Sequence, residues 1–208
     1  MDCATIDRLL QPFASLGPQQ LALTSMYIDL LLKWNARVNL TAIRDPETIV
    51  TRHFGESFFA AKMLMSRTSP RSLIDLGSGA GFPGIPMAML MPQAKVTLIE
   101  SNQKKSTFLR EVVFTLGLKN VEVFIGRGES YAGRADAVAM RAVERFEQVL
   151  PSAIGLVDAG GLIALMIGAS QVGKAKALGQ TVEWSEPRTV PSGESRIVLL
   201  GTKIVKVE

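Results

Sequence analysis

Apolar positions change their period once along the chain, near residue 72. Upstream they recur at three- and four-residue steps. Ile6, Leu9, Leu10 and Phe13 share one face of a short helix that Gly17-Pro18 ends, and Leu23, Tyr27, Leu30, Leu31 and Trp34 mark a longer amphipathic helix over 18–34. Asp45-Pro46 predicts the start of a third helix, with Asp at the N-cap and Pro at the first helical position, and with Ile49, Val50, Phe54, Phe58 and Ala61 on its apolar face. Residues 66–71 read as a connector. Downstream, short β-rich runs follow one another: SLIDL from Ser72, KVTLIE ending at Glu100, VEVFI from Val121, DAVAM over 136–140 and GLIALMI over 161–167. Helical stretches over 103–116 and 145–157 lie between them. Strand-helix alternation of this kind predicts an α/β fold with a parallel sheet covered on both faces. In the tail, VEWSE at 182–186 and RIVLLGTKI at 196–204 have no convincing helix between them and predict a terminal hairpin that adds an antiparallel strand to the sheet edge.

The period change divides the chain into a helical N-terminal extension, 1–70, and an α/β domain, 71–208. At 208 residues the chain suits one sizeable core with a modest extension. Its 47% hydrophobic content excludes a disordered protein, and no apolar run reaches the roughly 18 residues of a membrane span. The opening MDCATIDRLLQ carries acids and lacks a basic-then-apolar pattern, so a cytoplasmic location is expected rather than secretion. With one cysteine, Cys3, and one histidine, His53, neither an internal disulfide nor a zinc site is expected. A net charge of +4 suits an anionic partner, although many soluble enzymes are as basic.

The chemistry concentrates between Leu73 and Glu100, LIDLGSGAGFPGIPMAMLMPQAKVTLIE. An apolar strand carrying Asp75 enters glycines at alternate positions, Gly77, Gly79 and Gly81, and the next strand ends on Glu100. A nucleotide-type cofactor needs this order: a tight turn, a backbone it can approach closely, and an acid for ribose hydroxyls. Two ligands compete. A dinucleotide places its pyrophosphate on the helix N-terminus, whereas S-adenosylmethionine has no phosphate and presents an ammonium. Asp75 suits the ammonium and repels a pyrophosphate, and Pro83 and Pro86 remove two N–H donors from the first helical turn. Both favour the methyl donor. Asp75 as a cap for the following helix, and Glu100 as a solvated strand end, are the structural alternatives.

Together these motifs resemble one family over nearly the whole chain, the bacterial 16S ribosomal RNA guanine-N7 methyltransferases, or glucose-inhibited division protein B family. The resemblance is carried by Trp34-Asn35, then Asn39, Leu40, Thr41, Arg44, Asp45 and Pro46. It continues with His53 to Ser57, where Glu56 replaces the family's Asp, and with the Asp75 to Pro86 loop, which matches at every defined position. Further matches are Glu100, the Lys104-Lys105 and Phe108-Leu109 run, Arg127-Gly128-Glu129, and Met140-Arg141-Ala142 with Met in place of Ser.

The resemblance implies a Rossmann-like methyltransferase with a mostly parallel seven-stranded sheet and a small helical extension. It implies S-adenosylmethionine as cofactor, bound by Asp75, Gly77, Gly79, Gly81, Phe82, Glu100, Ser101, Gly128, Glu129 and Arg141, with no metal. It implies as substrate a guanine of the 530 loop (nucleotide 527) in the 16S ribosomal RNA of the 30S subunit. No membrane partner is implied, and a monomer is the default for this architecture.

Guanine N7 carries a lone pair and no proton, so transfer needs no general base. What the enzyme must supply is alignment and exclusion of water. Arg141, just past the fourth strand, is the candidate to position the base or the cofactor, with pairing to Glu144 as the structural alternative. His53 lies on an apolar helix face and is expected to be structural, bonded to Asp75 or the loop backbone. Lys33, Arg37, Arg44 and Arg52 are candidate RNA phosphate contacts. Three departures from the family stand out. Ile167 occupies the place of a lysine at the end of the fifth strand, an arginine-histidine pair is shifted to Ser195-Arg196, and Glu56 is the longer acid. The rival readings are a non-catalytic small-subunit assembly factor and a small-molecule methyltransferase. A nicotinamide-dependent oxidoreductase is disfavoured by Asp75 and the two prolines.

Overall fold

The computed structural model describes residues 1–141 and 145–205. Strands β1 (Ser72–Leu76), β2 (Lys95–Glu100), β3 (Val121–Ile125), β4 (Ala135–Arg141) and β5 (Val157–Gly168) are parallel and lie in the order β3-β2-β1-β4-β5. β6 (Val182–Trp184), β7 (Arg188–Thr189) and β8 (Arg196–Lys203) complete one eight-stranded sheet. β8 runs antiparallel beside β5, and β6 and β7 both pair with its outer edge.

These eight strands fill the seven positions the resemblance implies, because β6 and β7 lie end to end along β8. Trp184 pairs with Gly201 and Arg188 with Val198, so the register slips by one residue across Ser185 to Pro187. Pro187 cannot donate to a ladder, and a break on an edge strand is where proline is tolerated. The tail therefore adds two positions to the sheet rather than one. It is also preceded by a short helix that the sequence reading did not place, α8 (Val172–Leu178).

Nearly continuous apolar strands divide their side chains between two cores, as a sheet covered on both faces requires. Leu73, Val96, Leu98, Ala137, Ala139, Ala164 and Val198 face one side. There they meet α5 (Gly84–Leu90), α6 (Gln103–Thr115) and the N-terminal helices α1 (Cys3–Leu10) and α2 (Pro18–Asn35). Ile74, Ile99, Val138, Ile163, Leu165 and Leu199 face the other side, against α7 (Phe146–Gly155) and α8. Residues of the extension thus share one hydrophobic cluster with the sheet.

The third expected helix begins at Pro46 with Asp45 capping Thr48 N–H, but it is not a continuous α-helix. α3 (Pro46–Ile49) passes into a π-helical segment, Val50–Gly55, before α4 (Glu56–Met65). The wider turn keeps Ile49, Val50, Phe54, Phe58 and Ala61 all buried, and it carries Arg52 and His53 to the tip of β4.

β1 sits between β2 and β4, and the helices following β1 and β4 pack on opposite faces. Such a reversal opens a crevice at the carboxyl ends of the strands, where open α/β sheets bind ligands. The glycine loop and Arg141 are the two sides of that crevice.

Candidate active site

The loop after β1 takes its shape from three positive-φ glycines, Gly77 (76°), Gly79 (58°) and Gly81 (88°). Their surroundings differ. A Cβ on Gly79 would meet only Gly77 O, at 3.8 Å, so this part of the loop is open to a ligand. A Cβ on Gly81 would lie 2.2 Å from Tyr27 Oη, so Gly81 serves packing and is not among the residues lining the cleft beside the loop. Tyr27, from α2, donates a short hydrogen bond to Ala80 O and stacks on Phe82 at 5.3 Å. The extension thereby props the loop from below.

Glu100 holds the loop from the next strand. Its Oε2 accepts from Gly79 N–H at 2.8 Å and its Oε1 from Asn102 N–H at 2.7 Å. A carboxylate has about four lone-pair sites, so acceptor capacity for ribose hydroxyls is left over.

Two cavities meet here. One, of about 520 Å³, is lined by Leu40, Thr41, His53, Gly77 to Ala80, Phe82, Glu100 to Asn102, Lys105 and Arg141. The other, of about 350 Å³, is lined by Gly126 to Glu129, Arg145 and Gln148 among others. They share Gly77, Glu100 and Ser101, so a ligand in one continues into the other. At the second cavity, a Cβ on Gly128 would lie 2.8 Å from Leu76 Cδ1 and would displace that side chain. Glu129 is exposed and accepts from Ser152 Oγ at 2.9 Å. Of the ten residues named for the cofactor, Gly77, Gly79, Phe82, Glu100, Ser101, Gly128, Glu129 and Arg141 line this cleft, and Asp75 and Gly81 do not.

Asp75 takes the position of its capping alternative. Its side chain lies beneath the loop with no solvent exposure, and Oδ2 accepts from Gly84 N–H at 2.9 Å, capping the start of α5. Burial pushes its carboxyl up to about 7. Oδ1 is buried with no hydrogen-bond partner among the described residues. A donor reaching down through the loop, such as an ammonium, would satisfy that oxygen, but Asp75 forms no part of the cleft wall as it stands.

His53 makes other contacts than those expected. It bonds neither to Asp75 nor to the loop. Nε2 lies 2.8 Å from Thr41 Oγ1, Nδ1 lies 3.2 Å from Arg141 Nη2, and the ring stacks on Phe82 at 4.9 Å. Arginine only donates, so Nδ1 accepts and Nε2–H donates to Thr41. Burial, with the Arg141 and Arg52 charges beside it, brings His53 down to about 3 and keeps it neutral.

Arg141 lines the larger cavity and is also tied to the extension. Nη2 donates to Arg52 O at 2.7 Å and pairs with Glu56 Oε2 at 3.3 Å, and Nη1 reaches His53 O at 3.5 Å. The guanidinium is committed to the extension, so it shapes the cavity wall instead of projecting freely into it. Glu144, its alternative partner, and Ala142 lie outside the described residues.

Glu56 is almost wholly buried and touches two further arginines. Arg52 Nε donates to Oε1 at 3.1 Å, and Arg196 Nε abuts the same oxygen as an ion pair without hydrogen-bond alignment. Lys33, Arg37 and Arg44 are exposed on the extension. The sequence reading missed Tyr27 and Arg196 as site residues. Tyr27 looked like one more apolar position of α2, and Arg196 meets Glu56 only because β8 pairs beside β5.

Residues 20–196 match the profile of the rRNA small subunit methyltransferase G family. The chain belongs to this family. It is 36% identical over 207 residues to the ribosomal RNA small subunit methyltransferase G of Neisseria gonorrhoeae, covering 95% of this chain and 98% of that one. Its match to the protein of the same name from Nitrosomonas europaea is 44% over 126 residues, 60% of this chain and 57% of the other. In three dimensions it is similar to a SAM-dependent methyltransferase from Aquifex aeolicus, with a TM-score of 0.63 at 18% identity over 80% of this chain and 97% of that one. The family's glycine loop, second-strand acid and Arg127-Gly128-Glu129 element are the segments that build the cleft here.

Proposed function

We propose that the chain transfers a methyl group from S-adenosylmethionine to N7 of a guanine in 16S ribosomal RNA, at nucleotide 527 of the 530 loop. The observation that carries this reading is the pair of cavities joined at Gly77, Glu100 and Ser101 on the carboxyl edge of the sheet, in a chain of this family. When bound, S-adenosylmethionine supplies an electrophilic sulfonium methyl. The free lone pairs of Glu100 take the ribose hydroxyls, and Gly128 and Glu129 border the adenine end. Gly77 and Gly79 admit the methionine part against bare backbone. Leu40, Thr41 and Phe82 wall the larger cavity and keep water from the methyl.

Guanine N7 attacks without losing a proton, so the site must align rather than deprotonate. The state of His53 fits that demand. Both of its ring nitrogens are engaged and burial holds its pKa down to about 3, so it is a weak proton acceptor. Alignment in a desolvated pocket is what remains for the protein to provide.

The test is methyl transfer from labelled S-adenosylmethionine to 30S particles from a strain lacking the modification, followed by nucleoside analysis. Label in 7-methylguanosine at nucleotide 527 is the expected result. Label on another atom or nucleotide would overturn the assignment, and tight cofactor binding without transfer would favour an assembly factor.

A further inference from the structure

Three guanidinium groups converge on the single carboxylate of Glu56: Arg52, Arg141 and Arg196. His53 beside them is neutral, and Glu56 is the one carboxylate in ion-pair contact with them among the described residues, so the cluster is positively charged. Arg141 is only 11% exposed, and its Nη atoms are taken by Glu56, His53 and the Arg52 carbonyl. The other two differ. Arg52 and Arg196 both use Nε on Glu56 Oε1, and their side chains are 39% and 28% exposed. Among the described residues, the outer Nη fork of Arg52 has no partner, and that of Arg196 has only a 3.5 Å contact to Ser192 O. Glu56 thus braces two arginines by their inner edges and leaves their outer forks to solvent.

Their place in the fold is specific. Arg196 is paired with Gly168, the last residue of β5, and Arg141 ends β4 with Met166 as its partner. The forks therefore lie at the carboxyl edge over β4, β5 and β8, on the far side of Arg141 from the glycine loop. Arg141 and His53 line the larger cavity, and Arg52 and Arg196, which meet Arg141 through Glu56, are not among its lining residues. A nucleotide whose base enters that cavity carries its phosphate outside it.

We propose that Arg52 and Arg196 form a receiving site for a backbone phosphodiester of the RNA substrate, with Glu56 as its brace. This rests on the reading of the chain as a ribosomal RNA methyltransferase. Planar forks match phosphate oxygens two at a time, and an anion there balances the charge that one carboxylate leaves.

The experiment measures binding of the full chain to 30S particles lacking the modification across a series of KCl concentrations. It compares wild type, R52Q, R196Q, the double variant, and K119Q at the opposite edge of the sheet. Each single variant is expected to weaken binding about three- to tenfold. Each lost contact should flatten the slope of log affinity against log salt by about 0.7 to 0.9. S-adenosylmethionine affinity should stay within about twofold of wild type, and K119Q should match wild type throughout. R196K, which keeps the charge but not the fork, is expected to retain most of the slope at reduced affinity, and it replaces R196Q should that variant fold poorly. A double variant with wild-type melting temperature, cofactor affinity and salt slope would overturn the proposal. Wild-type chain that binds the particles but transfers no methyl would instead overturn the functional reading, and the arginine comparison would still be read in binding.

Discussion

Arg141 Nη2 donates to the backbone carbonyl of Arg52 at 2.7 Å, across 89 positions of sequence. This bond, with the Glu56 ion pair, fastens the tip of β4 to the π-helical segment and the start of α4. Replacing Arg141 by Ala removes hydrogen bonds from a charged donor and leaves His53 Nδ1 and the Arg52 carbonyl without it. Hydrogen bonds to charged groups contribute about 1.5–3 kcal/mol, so an R141A loss of roughly 2–3 kcal/mol in chemical denaturation is expected. Methyl transfer should fall with it, and S-adenosylmethionine affinity should fall less. An R141A protein as stable as wild type but without transfer would instead put Arg141 on the substrate.

Gly79 and Gly81 carry the same motif letter and should behave oppositely. At Gly79 a methyl group meets open space, so G79A is expected to fold with only the strain of a positive φ, about 1 kcal/mol. Its effect should appear in calorimetry as an S-adenosylmethionine affinity lower by tenfold or more, because the added group occupies ligand space. At Gly81 the methyl would collide with Tyr27 and Ile85, so G81A should lose several degrees in melting temperature or fail to accumulate as folded protein.

Much of this was legible in the sequence where local physics decides. The parallel strands, the Asp45 N-cap, the loop glycines and Glu100 all came from short-range patterns, and their positions agree with the structure. What was not legible depends on distant segments meeting. Asp75 read either as ligand-facing or as a helix cap, and it is the pleat that turns it under the loop toward Gly84. Arg196 looked displaced along the chain, but strand pairing brings it to Glu56. The π-helical segment was hidden because its apolar residues also fit an α-helical face, and only the Arg52 and His53 contacts distinguish the two.

Two buried groups should pull the pH dependence of stability in opposite directions. The folded-state value of Asp75 is raised from 3.8 to about 7, so the native state binds the extra proton and stability is lost as pH rises through that window. For His53 it is lowered from 6.5 to about 3, so the unfolded state binds the proton and stability is lost as pH falls from about 6.5 toward 3. Between about pH 4 and 6.5 the two slopes oppose, and the ligand-free wild type should show a shallow profile there. D75N should expose the His53 slope, becoming more stable toward pH 7. H53Q should expose the Asp75 slope, becoming less stable over the same range. Melting temperatures of the three proteins between pH 4.5 and 8 check this, and parallel curves would contradict both assignments.

Tyr27 gives the extension a part in cofactor binding that can be isolated by one oxygen atom. Its hydroxyl, held protonated by burial, donates to Ala80 O at the crown of the loop, while its ring stacks on Phe82. Y27F keeps the ring and the packing but strands the buried carbonyl, a loss of about 1–2 kcal/mol in global stability. If the bond only stabilises the fold, cofactor affinity will not change at temperatures where the protein is folded. If it sets the loop geometry, S-adenosylmethionine affinity will fall severalfold while 30S binding by Arg52 and Arg196 is untouched. We expect the second result, because Ala80 belongs to the cavity wall and its carbonyl is fixed among the described residues by Tyr27.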